Sequence, residues 1–249
     1  MRIAVAGGTG LTGAHVVRVG RRRGHVMTSL SRGEGVDLVS GAGLHDALSG
    51  VDAVIDVSNV ASLKTEVSVS FFAGATRNLL AAERRAGVGH HLALTVVGAD
   101  AAPDGYYAGK LTQERLIEVA DVPWTIQRAT QFHEYAALMF QNAKAGPLHS
   151  APRARLQPIA AHEVAEHLVT LAEKGPGGRV AELGGPQEES LADMVRGYAR
   201  AIGHRGWMPE ISLPGTFGRA LRDGSLLPKP GAVLGRQTFA EWLEALPDR

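Results

Sequence analysis

Short apolar runs alternate with amphipathic stretches through the first half of this chain, and that rhythm leaves few folds open. "RIAVAG" reads as a strand, Leu11 to Arg23 as a helix, "HVMTSL" as a strand, "VDLV" as a short strand, "GLHDALSG" as a helix and "DAVIDVS" as a strand. Val69, Phe72, Ala73, Thr76 and Leu80 fall on one face of a helix running to about Ala86. "HHLALTVVG" is then a buried strand, a helix spans about Asp104 to Ala120, and "WTIQRAT" is a further strand. Strands apolar along their whole length and separated by helices require cover on both faces, the pattern of a doubly wound α/β fold with a parallel sheet. Past Gly146 the rhythm loosens into a helix, a strand and a helix separated by Gly-Pro turns, with "TFAEWLEAL" as a short final helix. The expected organisation is a core over 1–146 and a smaller lobe over 147–249, partly packed back onto the core.

At 249 residues and 45% apolar content the chain is long enough to bury roughly 70–75% of its unfolded surface. The absence of cysteine excludes a disulfide framework and a thiolate zinc site, and favours an intracellular setting. The first residues enter a strand-like segment without a charged leader, and no run approaches ~20 apolar residues, so the expectation is a soluble cytoplasmic protein. Lysine and arginine total 26 against 25 acids, a net charge of +1 that offers no footprint for nucleic acid or an anionic membrane. The expected partner is therefore a small molecule.

The segment "VAGGTGLTGAHVV" follows the first strand and opens the first helix. Gly8, Gly10 and Gly13 make G-x-G-x-x-G, while Gly7, Gly10 and Gly13 make G-x-x-G-x-x-G, and both registers sit in the strand-turn-helix context such a loop needs. Glycines there allow the tight turn, the approach of backbone to a pyrophosphate and the packing of helix on strand, with the anion on free N–H groups at the positive helix end. The second strand ends in Ser31-Arg32, and the nearest acids, Glu34 and Asp37, come later. An acid at that point would bind a ribose 2′-hydroxyl; its absence favours NADP(H), with NAD(H) second.

Thr95, Tyr106 and Lys110 lie where a strand ends and the next helix begins. With the glycine loop and these three residues, the chain resembles the short-chain dehydrogenase/reductase superfamily, and within it the atypical NmrA-like, NAD(P)H-binding branch. The likeness runs through "AGGTGLTG", "NLLAAERRAGVGHHLALTVVGAD", "YYAGKLTQERLIEVADVPWTIQRATQFHEY", "LQPIAAHEVAEHLV" and "AELGGPQEESLADMVR". It implies a Rossmann-type sheet with a small C-terminal substrate lobe. It also implies that Gly7, Gly8, Thr9, Gly10, Leu11, Thr12 and Gly13 hold the pyrophosphate and that Ser31 and Arg32 meet the 2′-phosphate end of the cofactor. Ser58 and Asn59 would line the cofactor, and Ala129, Thr130, Gln131 and Phe132 would approach the nicotinamide. Tyr106 and Lys110 match the superfamily's Y-x-x-x-K, and Thr95 stands where many relatives carry serine.

Residues four apart on a helix share a face, so Tyr106 and Lys110 can address one bound cofactor. A neighbouring ammonium and the positive helix end both favour a phenolate, which is expected to bring Tyr106 down from its ordinary value near 10 towards the range of a working general acid. Lys110 would also bind the nicotinamide ribose, and Thr95 would orient a substrate oxygen. Tyr107 offers a second phenol, and His133 follows the strand expected to face the nicotinamide, so both are candidate substrate contacts. "HEVAEH" separates its histidines by five and is not the H-E-x-x-H metal motif; no metal is expected. His90 and His91 open a strand and read as structural. The leading expectation is an NADPH-dependent reductase of a small carbonyl or quinone-like substrate of apolar character, with Tyr106 as proton donor. The alternatives are a catalytically silent NADP(H)-binding sensor or regulator and, last, sugar-nucleotide epimerase or dehydratase chemistry, for which the lobe after Gly146 looks small.

Overall fold

The computed structural model describes residues 1–145 and 148–247. In chain order its regular elements are β1 (Arg2–Ala6), α1 (Leu11–Arg22), β2 (Val26–Leu30), α2 (Leu44–Ala47), β3 (Ala53–Asp56), α3 (Thr65–Ala86), β4 (His90–Val96), α4 (Gly105–Glu118) and β5 (Trp124–Ala129). There follow α5 (Tyr135–Asn142), β6 (Lys144–Ala145), β7 (Leu148–His149), β8 (Ala151–Pro152), β9 (Arg155–Leu156), α6 (Ala161–Lys174), β10 (Gly178–Arg179) and β11 (Leu183–Gly184). The chain closes with β12 (Glu189–Ser190), α7 (Leu191–Ala201), β13 (Glu210–Ile211), α8 (Gly215–Asp223), β14 (Val233–Leu234) and α9 (Phe239–Glu244). Two compact units result, one of Met1–Arg128 with Ala161–Ala181 and one of Ala129–Ala160 with Glu182–Arg249.

The first unit has the doubly wound, Rossmann-type architecture. Its strands run in the order β2-β1-β3-β4-β5-β10, and β1 pairs in parallel with β2 and β3, β3 with β4, and β10 with β5. Every residue of β3 and all of β1 after Arg2 are buried, and so is β4 from His90 to Thr95. Such strands do not alternate because neither sheet face meets water. Helices α1 and α6 pack together, as do α3 and α4. The α3–α4 crossing is close: a Cβ on Gly109 would lie 2.6 Å from the Phe72 ring and 2.8 Å from the Ser68 carbonyl oxygen.

In the second unit, α7 packs on α5 and α9, and Ala136, Met194, Tyr198 and Phe239 form a buried cluster against which Trp242 rests. Helix α9 opens with a reciprocal capping box between Thr238 and Glu241. The short strands pair as β9 with β12, β8 with β13, β6 with β7 and β11 with β14. No helix among the described residues is long and apolar enough to cross a membrane.

Two expectations need correction. "VDLV" is not a strand: Val36 is buried in the core, but the Asp37 carboxylate accepts the Val39 and Ser40 N–H groups at 2.8 and 2.9 Å, turning the chain. The single strand expected between the two helices past Gly146 is two separate pairs, β10 beside Thr125 and Ile126 and β11 beside Ala129. The boundary expected between 146 and 147 lies outside the described residues, and the units divide at Arg128, with α6 of the later sequence returning to the first unit. The amphipathic face of α6, from Ala161 to Ala172, finds its apolar partner on α1.

Candidate functional site

The loop from β1 to α1 can be built only from glycines at three points. Gly7 has φ 79°, in the left-handed region, and a Cβ there would lie 3.0 Å from the Ser58 Cα. At Gly8 a Cβ would fall 2.2 Å from Ser29 Oγ, and at Gly13 it would fall 2.1 Å from the Gly7 carbonyl oxygen. Gly10 differs, being exposed and meeting only the Gly7 carbonyl oxygen, at 3.3 Å. It is also the N-cap of α1 and supplies no capping side chain. The helix therefore presents its first N–H groups uncapped beside exposed Thr9, Gly10 and Leu11, while Thr12 turns inward. The hydroxyls of Ser29, beside Gly8, and Ser58, beside Gly7, are buried without a hydrogen-bond partner among the described residues, as is that of Ser31. An uncapped helix end next to unsatisfied buried hydroxyls is suited to an anionic, oxygen-rich ligand.

Arg32 begins a short 3-10 turn just after β2 and is exposed, with a positive charge that helps hold the Asp37 carboxyl below its usual range, behind hydrogen bonds from Ser40. Asn59 is likewise exposed.

Tyr106 and Lys110 share a floor on α3. The Phe72 ring lies 5.8 Å from the Tyr106 ring, edge to face, and 4.3 Å from Lys110 Nζ. Lys110 is buried, and its ammonium donates to the Leu94 carbonyl at 3.0 Å and to Gln113 Oε1 at 2.9 Å. Burial lowers its pKa to about 8, against the pull of Asp56 and Glu114. The Tyr106 phenol moves opposite to expectation: burial pushes it up, and the Asp56 carboxylate adds to the rise. Burial and a nearby anion penalise a phenolate more than the neighbouring ammonium, already engaged by two acceptors, favours it. Tyr107 is buried, its ring edge-on to Tyr106 at 6.0 Å.

Thr95 is buried at the end of β4, and its hydroxyl donates to Glu114 Oε1 at 2.6 Å. Glu114 is itself buried and receives Arg128 through Nε at 2.9 Å and Nη2 at 2.6 Å, and Arg179 at 2.9 Å; Arg128 also pairs with Asp100. Burial would raise the Glu114 carboxyl, but the hydrogen bonds from Arg128 and Thr95 outweigh it and hold it below its usual range.

In the second unit Ala129 pairs with Leu183, and Thr130 is fixed by its N–H to the Leu183 carbonyl at 2.9 Å and its hydroxyl to the Gln157 carbonyl at 2.6 Å. The Gln131 carbonyl accepts the Ile159 N–H at 2.9 Å, and Phe132 bridges to Ile159. His133 is buried, 3.1 Å from the Gln237 carbonyl and beside the stacked rings of Phe239 and Trp242, at 5.8 and 6.0 Å. A cavity of about 410 Å³ in this unit is lined chiefly by charge, with Arg153, Arg155, Arg222, Glu188 and Glu210 among its walls.

Asp56, Gln113, Glu114 and Arg128 were not among the residues expected at this site. Asp56 had a visible signal, an acid in the otherwise apolar strand "AVIDV", since a buried carboxylate demands partners. Gln113 had none, because a helical glutamine reads as solvated.

No family model and no curated protein matches this chain. Its fold is nevertheless similar to solved structures. A UDP-glucose 4-epimerase from Stenotrophomonas maltophila, with bound NAD and formylated UDP-arabinopyranose, superposes with TM-score 0.70 at 18% identity, over 98% of this chain and 96% of that one. The UDP-N-acetylglucosamine 4-epimerase of Bacillus cereus gives 0.69 at 18% identity, over 100% and 98%. The UDP-glucose 4-epimerase of Thermus thermophilus, in complex with NAD, gives 0.68 at 19% identity, over 94% and 90%. At these identities the likeness establishes the fold.

Proposed function

We propose that this chain is a nicotinamide-dinucleotide-dependent oxidoreductase that favours NADP(H) and reduces a small carbonyl or quinone-like substrate, with Tyr106 as proton donor. The reading agrees with the resemblance to the NmrA-like branch and with a cytoplasmic setting. The observation that carries it is the loop from Gly7 to Gly13, whose close approaches exclude side chains and leave an uncapped helix end. That the neighbours include NAD-bound proteins supports the same cofactor class.

The first N–H groups of α1 would hold the pyrophosphate, Ser29 and Ser58 would supply hydroxyls beside it, and Arg32 would pair with a 2′-phosphate. The bound nicotinamide supplies the hydride when present. Tyr106, its pKa raised, keeps its proton, the form a donor needs. Lys110 would bind the ribose through the donor that its two protein acceptors leave over.

A second reading, a silent NADP(H)-binding sensor, is favoured by the engagement of Thr95 with Glu114 and of Lys110 with Gln113. Sugar-nucleotide chemistry stands third, but lobe size is no argument against it, because the chain spans nearly the whole length of the epimerases. Tyr106→Phe separates the first two. A reductase loses at least ~10²-fold in NADPH consumption with quinones and aldehydes while keeping its NADPH affinity. Equal turnover in Tyr106→Phe and wild type would remove Tyr106 from the chemistry, and tight NADPH binding with no turnover across the panel would select the sensor.

A further inference from the structure

A buried lysine needs acceptors, and in the first unit those of Lys110 are themselves fixed by a second layer. Gln113 is fully buried one turn along α4; its Oε1 accepts Lys110 Nζ at 2.9 Å while its Nε2 donates to Asp56 Oδ2 at 2.8 Å. The other Asp56 oxygen accepts the Ser58 N–H at 2.8 Å, so the carboxylate is held at both ends. The amide has one workable orientation, because a flip would set its NH₂ against the ammonium and its oxygen against the carboxylate. In this series of carboxylate, amide and ammonium each bond polarises the next.

We infer that Asp56 and Gln113 are positioning residues for Lys110: the carboxylate orients the amide, and the amide, with the Leu94 carbonyl, sets where the ammonium stands and keeps it charged. The inference rests on the proposed function insofar as Lys110 meets the dinucleotide. Two of three Nζ donors are taken, and the third has no acceptor among the described residues. The charged groups that pull on Lys110 are Asp56 from β3 and Glu114 from its own helix; Tyr106 shares the Phe72 ring with it, and Asp56 also acts on Tyr106 and on the Glu83–His91 pair between α3 and β4. Asp56 and Lys110 form no direct ion pair, so the amide carries the hydrogen-bonded link between them, beside the through-space pull of the carboxylate.

The test is an NMR titration of the Lys110 side chain in the nucleotide-free full chain, with thermal melting to establish folding. Gln113→Met keeps length but removes the acceptor, so the ammonium loses support and its midpoint falls by ~1 pH unit. Asp56→Asn retains shape and removes the charge, and its midpoint falls as well. Gln113→Glu combined with Asp56→Asn restores an acceptor for Lys110 without setting two carboxylates together, and brings the midpoint back to the wild-type value or above it. A merely structural role for the amide would move melting temperature and leave the midpoints alone. Unchanged midpoints in folded Gln113→Met and Asp56→Asn overturn the tie whatever the chain binds. The titration is read without nucleotide, so a wild type that binds no NADPH would overturn the proposed function, not this tie.

Discussion

At the scale of single residues, the buried ionisable groups Glu83 and His91 of the first unit partner each other. His91 and Glu83 are both fully buried, with His91 Nδ1 2.8 Å from Glu83 Oε1. Burial alone would lower the histidine, but the Glu83 carboxylate overrides it, and the pKa of His91 is raised above 6.5. A raised folded-state value means that the proton on His91 stabilises the fold in full below pH 6.5, and that this contribution fades as pH rises through the folded value. Burial raises the Glu83 carboxyl as well, a change of the same sign, so urea denaturation of the wild type should give stability that declines as pH rises past 6.5. Glu83→Gln should cost about 3 kcal/mol at pH 6, because it leaves a buried imidazolium unpaired, and should flatten the pH dependence. A variant as stable as wild type at pH 6, with an unchanged slope, would refute the charged pair. That His90 and His91 are structural was legible from their place at a strand start; that one of them needs Glu83 was not, because the partner lies on α3 and only packing brings it near.

At the scale of elements, the turn from β1 into α1 separates glycines that leave no room for a side chain from one that does. A Cβ at Gly13 would strike the Gly7 carbonyl oxygen at 2.1 Å, backbone against side chain, and nothing flexible can yield. Gly13→Ala should therefore cost about 1–3 kcal/mol as α1 is pushed off the loop. Gly10 has φ −76°, which any residue adopts, and open space apart from one contact at 3.3 Å. Gly10→Val should melt within a few degrees of wild type, a stability change below ~1 kcal/mol, yet lose dinucleotide binding because its side chain occupies the uncapped helix end. Paired melting and NADPH titration check both; a folded Gly10→Val with unchanged affinity would move the ligand elsewhere. The glycine spacing made the loop legible as a motif, whereas the division of labour among its glycines depends on what each Cβ would meet.

At the scale of the whole chain, a ligand that binds only the folded state must raise its stability, by about 2.7 kcal/mol at a hundredfold excess over Kd. NADPH is expected to raise the melting temperature more than NADH does at equal concentration, and Arg32→Ala to erase the difference by removing a charge-assisted contact of ~1.5–3 kcal/mol. Equal shifts in the wild type, or an undiminished NADPH advantage in Arg32→Ala, would reverse the assignment. The sequence alone carried the doubly wound class, the glycine loop and the Y-x-x-x-K spacing, because hydrophobic period and glycine position are local properties that the neighbouring residues enforce. It also determined most of α1, α3, α4 and the inner strands. Tertiary structure alone decided that "VDLV" is a turn, that α6 returns to the first unit, that burial raises Tyr106, and that Lys110 is tied through Gln113 to Asp56. The physical reason is common to all four: each depends on atoms far apart in sequence, and desolvation and pairing are set by what packing brings together, not by what the chain places next in line.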